Sequence, residues 1–513
     1  MKKSIKYIGL FLTLGTSIML SSCEKNFEQI NNDPDNPEDV PNSYYLAGAQ
    51  RGLSDNTFDI WWGTNVGNQL AQYLSSNQYS SESRYQFRTA TTNSYFSLFY
   101  AGGNQGGRRT GTLNVGGLFE LNRIIANCKS DPGGSSAVGF PENQIAVATM
   151  LRVWLLQNMT DTWGSLPYSQ ALDPNNNRAP KYDSQSEIYS GLISELNGAL
   201  ALINVGEAGP DGDLIYGGDM SLWKKFGNSL KMRVALRIAD VNASLSQTAF
   251  TEAVNAGAFD SNADNALFAY GEGNDANPLY YNKVIDKRID YAASNTMLDK
   301  LVAVNDPRLP CFYAQATATS TYVGEVYGLS EANAAATANS SVSQPSGLFY
   351  SAALPGIFMD YAQVEFMLAE AAERGYAGIS GAQGHYDAAV GASIDFWTTL
   401  NGSPASPTDI STYLAQPSVD YSNVGSGITY EEKIGNQKWI ALFNQGIQGW
   451  AEWRRLDFPV LPLPADGVLD GTGIPMRLKY ALDEQTLNSG NYSNAVSGQG
   501  PDLQSTKLWW DVN

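Results

Sequence analysis

Two adjacent tryptophans, Trp61 and Trp62, are followed by Asn65, Asn68, Gln69, Gln72 and Tyr73. Flat apolar faces beside amide groups suit a sugar, whose axial C–H bonds stack on aromatic rings and whose hydroxyls bond to amides. Trp61, Trp62, Asn68, Gln72 and Tyr73 are therefore candidate ligand contacts. The same residues would also serve at a helix start packed on a core, which is the commoner use of large aromatics at element ends. A second mixture of this kind, Tyr280 and Tyr281 with Asn277, Asn282 and Arg288, falls in an irregular stretch, where recognition residues tend to concentrate. Tyr95, Phe96, Phe99 and Tyr100 recur at helical spacing and read as packing. Trp509-Trp510-Asp511 could form a sugar platform, but a chain end must be tied down to be ordered, and docking is the favoured reading.

Other chemistries find less support. The loop 102–109 has the glycines of a phosphate cradle, but Arg108-Arg109 stands where a Lys-Ser/Thr pair is required. His385 is the sole histidine; a catalytic triad or a histidine-based zinc site needs converging partners that it lacks. Asn31, Asp33 and Asp35 alternate as at the start of a calcium loop, but position six is Asn36 rather than Gly and position twelve is Asn42 rather than Glu. Side-chain-capped turns account for that stretch. Carboxylate pairs for glycoside hydrolysis come from distant positions, and spacing singles none out. The residues thus point to binding, with no catalytic residue, metal or cofactor assigned.

The formal charge of −19 over 513 residues argues against nucleic acid or an anionic membrane surface as partner, since both require clustered Lys and Arg. Lys2, Lys3 and Lys6 precede an apolar run over 8–20, the length of a secretory leader core and too short to span a bilayer. Leu20-Ser21-Ser22-Cys23 then resembles a bacterial lipobox, with cleavage before Cys23 and acylation of that residue. The expected organisation is a leader at 1–22, a lipid-anchored tether at 23–42 rich in Asn, Asp and Pro, and a single body at 43–513. Cys128 and Cys311 could pair in an oxidising compartment or remain buried thiols.

The elements that must position these residues are mostly helical. Within 355–400, Tyr361, Val364, Leu368 and Ala371 repeat at a helical period, and Phe366 and Met367 lie off that stripe, so the helix is apolar over much of its circumference. A Gly-rich break at 375–384 leads to a second helix carrying Tyr386, Val390, Ile394 and Trp397. Two antiparallel helices joined this way form the unit of a helical repeat, which needs stacked neighbours. Further helices are expected at 43–51 and 64–75, with hairpins from 118–128 with 143–159 and from 184–202 with 221–241, and a last helix at 430–446. Long irregular stretches at 257–295 and 313–349 are the expected source of the ligand surface.

Several stretches resemble, in order, the SusD/RagB family of nutrient-uptake outer-membrane lipoproteins, and in particular its SusD-like branch. They are Asn31-Asn32-Asp33-Pro34, the run 161–168, Pro180-Lys181-Tyr182-Asp183, 223–230 with Arg233 and Arg237, the helix at 355–374, Lys438-Trp439 with 450–455, and 474–478. Ser165 departs from the Asp frequent in the family's motif. The resemblance implies a mainly α fold, a superhelix of about four tetratricopeptide-like helical hairpins, with long loops and minor β elements forming a ligand-binding face. It implies a cell-surface lipoprotein of the outer membrane, without enzymatic activity, that binds glycans and serves as the lid of a SusC-like TonB-dependent β-barrel. Peptide binding and surface glycoside hydrolysis are the alternatives.

Overall fold

The computed structural model describes residues 40–102, 116–173 and 175–512. The expected leader, Cys23, the calcium-like positions 31–36 and most of the glycine-rich loop at 102–109 lie outside the described residues.

The body from Asn42 onward is built on helices α1 (Asn42–Thr57), α2 (Thr89–Ala101), α3 (Leu118–Ser130), α4 (Pro141–Trp163), α5 (Gln185–Leu202) and α6 (Met220–Arg237). It continues with α7 (Ala243–Ala256), α8 (Tyr361–Glu373), α9 (Ala382–Leu400), α10 (Tyr430–Ala441) and α11 (Gly446–Leu456). Helix α3 packs on α4, α4 on α5, α6 on α7, and α8 on α9 and α10. This is the expected helical-hairpin architecture. Asp360 starts α8 by accepting the Gln363 N–H at 3.0 Å, and Val364, Phe366, Met367, Ala369 and Ala371 are all buried. A helix apolar nearly all round is satisfied only between neighbours, and α8 has them in α6, α9 and α10.

Two expectations change. The segment 221–241 does touch α5, but it ends at Arg237 and turns through 238–242 into α7, so that α6 and α7 form the tight hairpin. Asn242 caps α7 at the Leu245 N–H, and Gly257, with φ of 94°, ends it; polar cap, apolar Leu245, Ala249, Phe250 and Ala253, and terminal glycine are a readable helix signature. The second change is at 64–75. In place of an α-helix there is a π-helix, Ile60–Asn68, followed by a turn in which Gln72 takes φ of 56°, and then strand β1, Leu74–Ser76. Tertiary contact decides this: a Cβ on Gly446 would lie 2.1 Å from the carbonyl carbon of Gly67, so the π-helix and α11 meet backbone to backbone.

The minor β elements are two-stranded antiparallel pairs. The remaining strands are β2 (Leu166–Pro167), β3 (Tyr182–Asp183), β4 (Ala266–Phe268), β5 (Tyr291–Ala293) and β6 (Gly356–Met359). The pairings are β1 with β5, β2 with β3, and β4 with β6.

Helix α11 is locked by buried charge. Arg455 donates to Glu370 of α8 at 2.5 and 2.6 Å and to Glu452 at 2.7 Å. Glu452 also accepts Lys438 at 2.8 Å and pairs with Arg237 at 3.0 Å. Burial opposes ionisation of Glu370, yet Arg455 and Arg374 hold its carboxyl down to about 2. Such a cluster fixes which helices meet, because an unmatched partner would leave a bare charge in the core. Cys128 and Cys311 are both buried free thiols. Among the described residues no helix is long and apolar enough to cross a membrane.

Candidate functional site

Strand β1 pairs with β5 in the register Leu74–Ala293 to Ser76–Tyr291, and the Asn77 N–H donates to the Asp290 carbonyl at 2.9 Å. This short ladder brings the π-helix and the irregular stretch before β5 together, although more than two hundred positions separate Asn65 from Tyr291. Between them lies a cleft of about 330 Å³ whose lining includes Trp61, Asn65, Tyr79, Tyr281, Asn282 and Arg288.

The π-helix is seated by Asp59, whose carboxylate accepts the backbone N–H groups of Trp61, Trp62 and Gly63 at 3.0, 2.6 and 3.3 Å and the hydroxyl of Tyr95. Burial pushes the Asp59 carboxyl up to about 7 despite these donors. Gly63 is required here, because a Cβ would meet the Thr57 carbonyl oxygen at 2.6 Å.

Above this floor, cations and aromatic rings interleave. The Arg88 guanidinium lies 5.3 Å from the centre of the Trp61 ring and 5.5 Å from that of Tyr79, and Arg288 lies 5.2 Å from Tyr79. Each cation is matched by a carboxylate: Arg88 by Glu82 at 2.9 Å and Arg288 by Asp290 at 2.8 Å. The Asp290 pairing keeps Arg288 charged. Tyr291 donates to the Asn65 amide oxygen at 2.5 Å. The arrangement offers ring faces held at fixed angles, side-chain amides and largely compensated charge. It suits a neutral polar ring ligand better than a strongly charged one.

The candidates from the sequence divide between cleft and core. Trp61, Tyr281 and Arg288 line the cleft together. Tyr280 is half-buried, its ring edge-on to Tyr281 at 6.1 Å, and it is not part of the lining. Trp62 is 2% exposed and stacks between Tyr95 and Trp163, at 5.2 Å from each. Asn68 donates to Asn444 at 3.2 Å, Gln72 bridges Tyr85 and Thr296, and the Tyr73 hydroxyl donates to the Trp439 carbonyl at 2.7 Å; all three side chains are buried. Their hydrogen bonds are spent inside the body. The reason is helical geometry: successive residues such as Trp61 and Trp62 project in different directions around the helix axis, so one can face a cleft while the other faces the core. Tyr95, Phe96 and Phe99 are buried in the same aromatic cluster. Tyr79, Arg88 and Asp290 were not read from the sequence as contacts, because only the β1–β5 pairing and the start of α2 bring them to the cleft. His385 is half-buried rather than free at its helix start, with Nδ1 2.6 Å from Glu365.

Residues 34–481 match a family model of the SusD-like type, described as starch-binding and associating with the outer membrane. The chain belongs to this SusD-like family. Among solved structures, a chitin-binding protein is 27% identical, with a TM-score of 0.78 over 92% of this chain and 100% of that one. A SusD homolog from Bacteroides uniformis, 24% identical, covers the same shares with a TM-score of 0.75. A chitin-binding SusD homolog from Flavobacterium johnsoniae is 23% identical, with a TM-score of 0.74 over 91% of this chain and 99% of that one. The last two likenesses speak for the fold alone. No curated protein matches the chain. The SusD-like stretches noted in the sequence occupy structural positions: Asp161 pairs with buried Arg237 at 3.4 Å, and Arg455 and Glu452 form the lock on α11. Ser165, the position that departs from the family's motif, is held through its backbone, its N–H donating to Gln499 at 2.6 Å and its carbonyl accepting the Tyr480 hydroxyl at 2.8 Å.

Proposed function

We propose that this SusD-like protein captures neutral glycans at the cleft beside Trp61 and passes them to a SusC-like TonB-dependent β-barrel, over which it sits as a lid. In this reading residues 1–22 are removed, acylated Cys23 anchors the protein in the outer membrane facing outward, and the body at 43–513 binds without turnover. The observation that carries it is the assembly, from distant parts of the chain, of Trp61, Tyr79 and Tyr281 with Asn65 and Asn282 in one cleft. The family description and the 27% identical chitin-binding structure support a glycan ligand.

Calorimetric titration of the purified protein with maltoheptaose, chitohexaose and a peptide mixture tests this, with the recovered sugar checked for cleavage. Saturable binding of intact sugar is expected, weakened at least about tenfold by Trp61→Ala, the loss of about 1.4 kcal/mol of stacking. Trp62→Ala acts differently: it opens the core and costs about 3–5 kcal/mol of stability. Shortened sugar would make the protein a glycoside hydrolase, binding only of peptides would reassign the ligand, and silence to all three would sink the reading.

A further inference from the structure

The end of the chain carries more aromatic surface than docking requires. Leu508 and Trp510 are buried, and Trp510 lies beneath Arg454 at 5.0 Å and Arg237 at 5.3 Å, so the terminus is tied down without its neighbour. Trp509 is only half-buried. Its backbone N–H donates to Gln185 at 2.8 Å, which fixes the residue on the start of α5. One part of its ring packs beside Tyr189, with centroids 6.4 Å apart, while its indole N–H has no hydrogen-bond partner among the described residues and faces solvent, open to a ligand acceptor.

Trp509 lines a cleft of about 530 Å³ between the start of α5, Tyr182 of β3 and the helix Ser489–Gln499. That volume falls in the range of about 300–1,000 Å³ typical of small-ligand sites. The cleft shares no lining residue with the one beside Trp61. Some of its polar groups are committed to structure: Ser184 and Glu187 cap α5, and Gln499 bonds to Ser165 and Trp163. Others are not. The Asn494 side chain is exposed and has no partner among the described residues, and the same holds for the Ser186 hydroxyl. The two cations at the rim are already matched, Lys181 by Asp183 at 2.8 Å and Lys507 by Asp511 at 3.5 Å. A free anion would therefore have to compete for them. What the cleft offers instead is an indole ring and N–H, an amide and a hydroxyl, a set suited to a neutral sugar unit. The helix wall is low on this side, because a Cβ on Gly498 would meet nothing within 4 Å.

From this we infer that the cleft at Trp509 is a second carbohydrate subsite, separate from the first, taking one or a few neutral sugar units. This rests on the glycan reading of the Trp61 cleft, and the two can fail separately. A chain engaging both clefts would gain affinity through effective concentration, without new contacts at either.

The test is ¹⁹F NMR of the full-length protein labelled with 5-fluorotryptophan, titrated with maltoheptaose and with chitohexaose. Trp61→Phe and Trp509→Phe assign the two resonances. The Trp509 signal is expected to shift saturably with at least one sugar and to keep shifting in Trp61→Ala. In Gly498→Phe, whose ring fills the cleft, the Trp509 response is lost while Trp61 still responds. Asn494→Ala, on an exposed face that cannot unfold the helix, is expected to weaken the Trp509 response at least about threefold. If Trp61 saturates and Trp509 does not move, the second subsite is refuted and the first reading stands. If neither moves with either sugar, both fall.

Discussion

Replacing Asp59 by Asn isolates the electrostatics of the cleft floor. The folded protein holds this carboxyl at about 7 against an ordinary 3.8, because burial outweighs the Tyr95 hydroxyl and the three backbone donors. Between those two values the unfolded chain has released its proton and the folded chain has kept it. Folding therefore takes up a proton in this window, and stability falls as pH rises from about 4 to 7, then levels off. A rise from 3.8 to about 7 corresponds to a loss of about 4 kcal/mol across the window. Asn has similar shape, can still accept from the Trp61 and Trp62 N–H groups, and does not titrate. Asp59→Asn should thus remove up to about 4 kcal/mol of pH dependence, leaving it less stable than the parent near pH 4 and nearer to it, or more stable, at pH 7.5. The assay is urea unfolding of parent and variant at half-unit steps from pH 4 to 8, the difference between the two curves cancelling other carboxylates such as Glu120, also held near 7 by burial. Parallel curves would refute the reasoning, and would mean that the three N–H donors keep Asp59 ionised in the folded state throughout.

The lock on α11 behaves in the opposite sense. Arg455→Ala removes the bidentate partner of Glu370 and one of three cations on Glu452, leaving Glu370 to Arg374 and Glu452 to Lys438 and Arg237, and should cost up to about 3–5 kcal/mol in chemical denaturation, whereas Glu370 in the parent, held at about 2, contributes stability that is present above pH 4.5 and lost as pH falls towards 2. Loss of the acid-side limb in Glu370→Gln, read by thermal unfolding from pH 2 to 6, checks this; an unchanged limb would contradict it. Gly446→Ala forces a methyl group to 2.1 Å from the Gly67 carbonyl carbon, and should lower the urea midpoint by an amount equivalent to about 1–3 kcal/mol. Because Gly67 belongs to the π-helix that carries Trp61, this variant is also expected to weaken sugar binding in calorimetry, and full affinity in it would detach the cleft from α11.

Much of the architecture was legible in the sequence because helix formation is written locally. The period of Val364 and Ala371, the off-stripe Phe366 and Met367, and the breaks at glycine specify a buried helix and its hairpin partner without knowledge of the rest. The signature of α7 was equally local, in Asn242, Phe250 and Gly257, and could have been read. The ordered SusD-like stretches pointed to the family, and several of them supply the buried lock and the turn after α4. The site was legible only as two disconnected mixtures of aromatic and amide residues. Which members face solvent depended on the phase of one short helix, and that phase is set by Asp59 gathering three N–H groups and by Gly67 lying against Gly446. The β1–β5 pairing then brought Tyr79 and Asp290 beside Trp61, and the same kind of contact left Trp510 under two arginines and Trp509 half in water. Residue type and period determined the helices; burial and long-range pairing, which depend on contacts between residues hundreds of positions apart, decided which aromatics are core and which are surface.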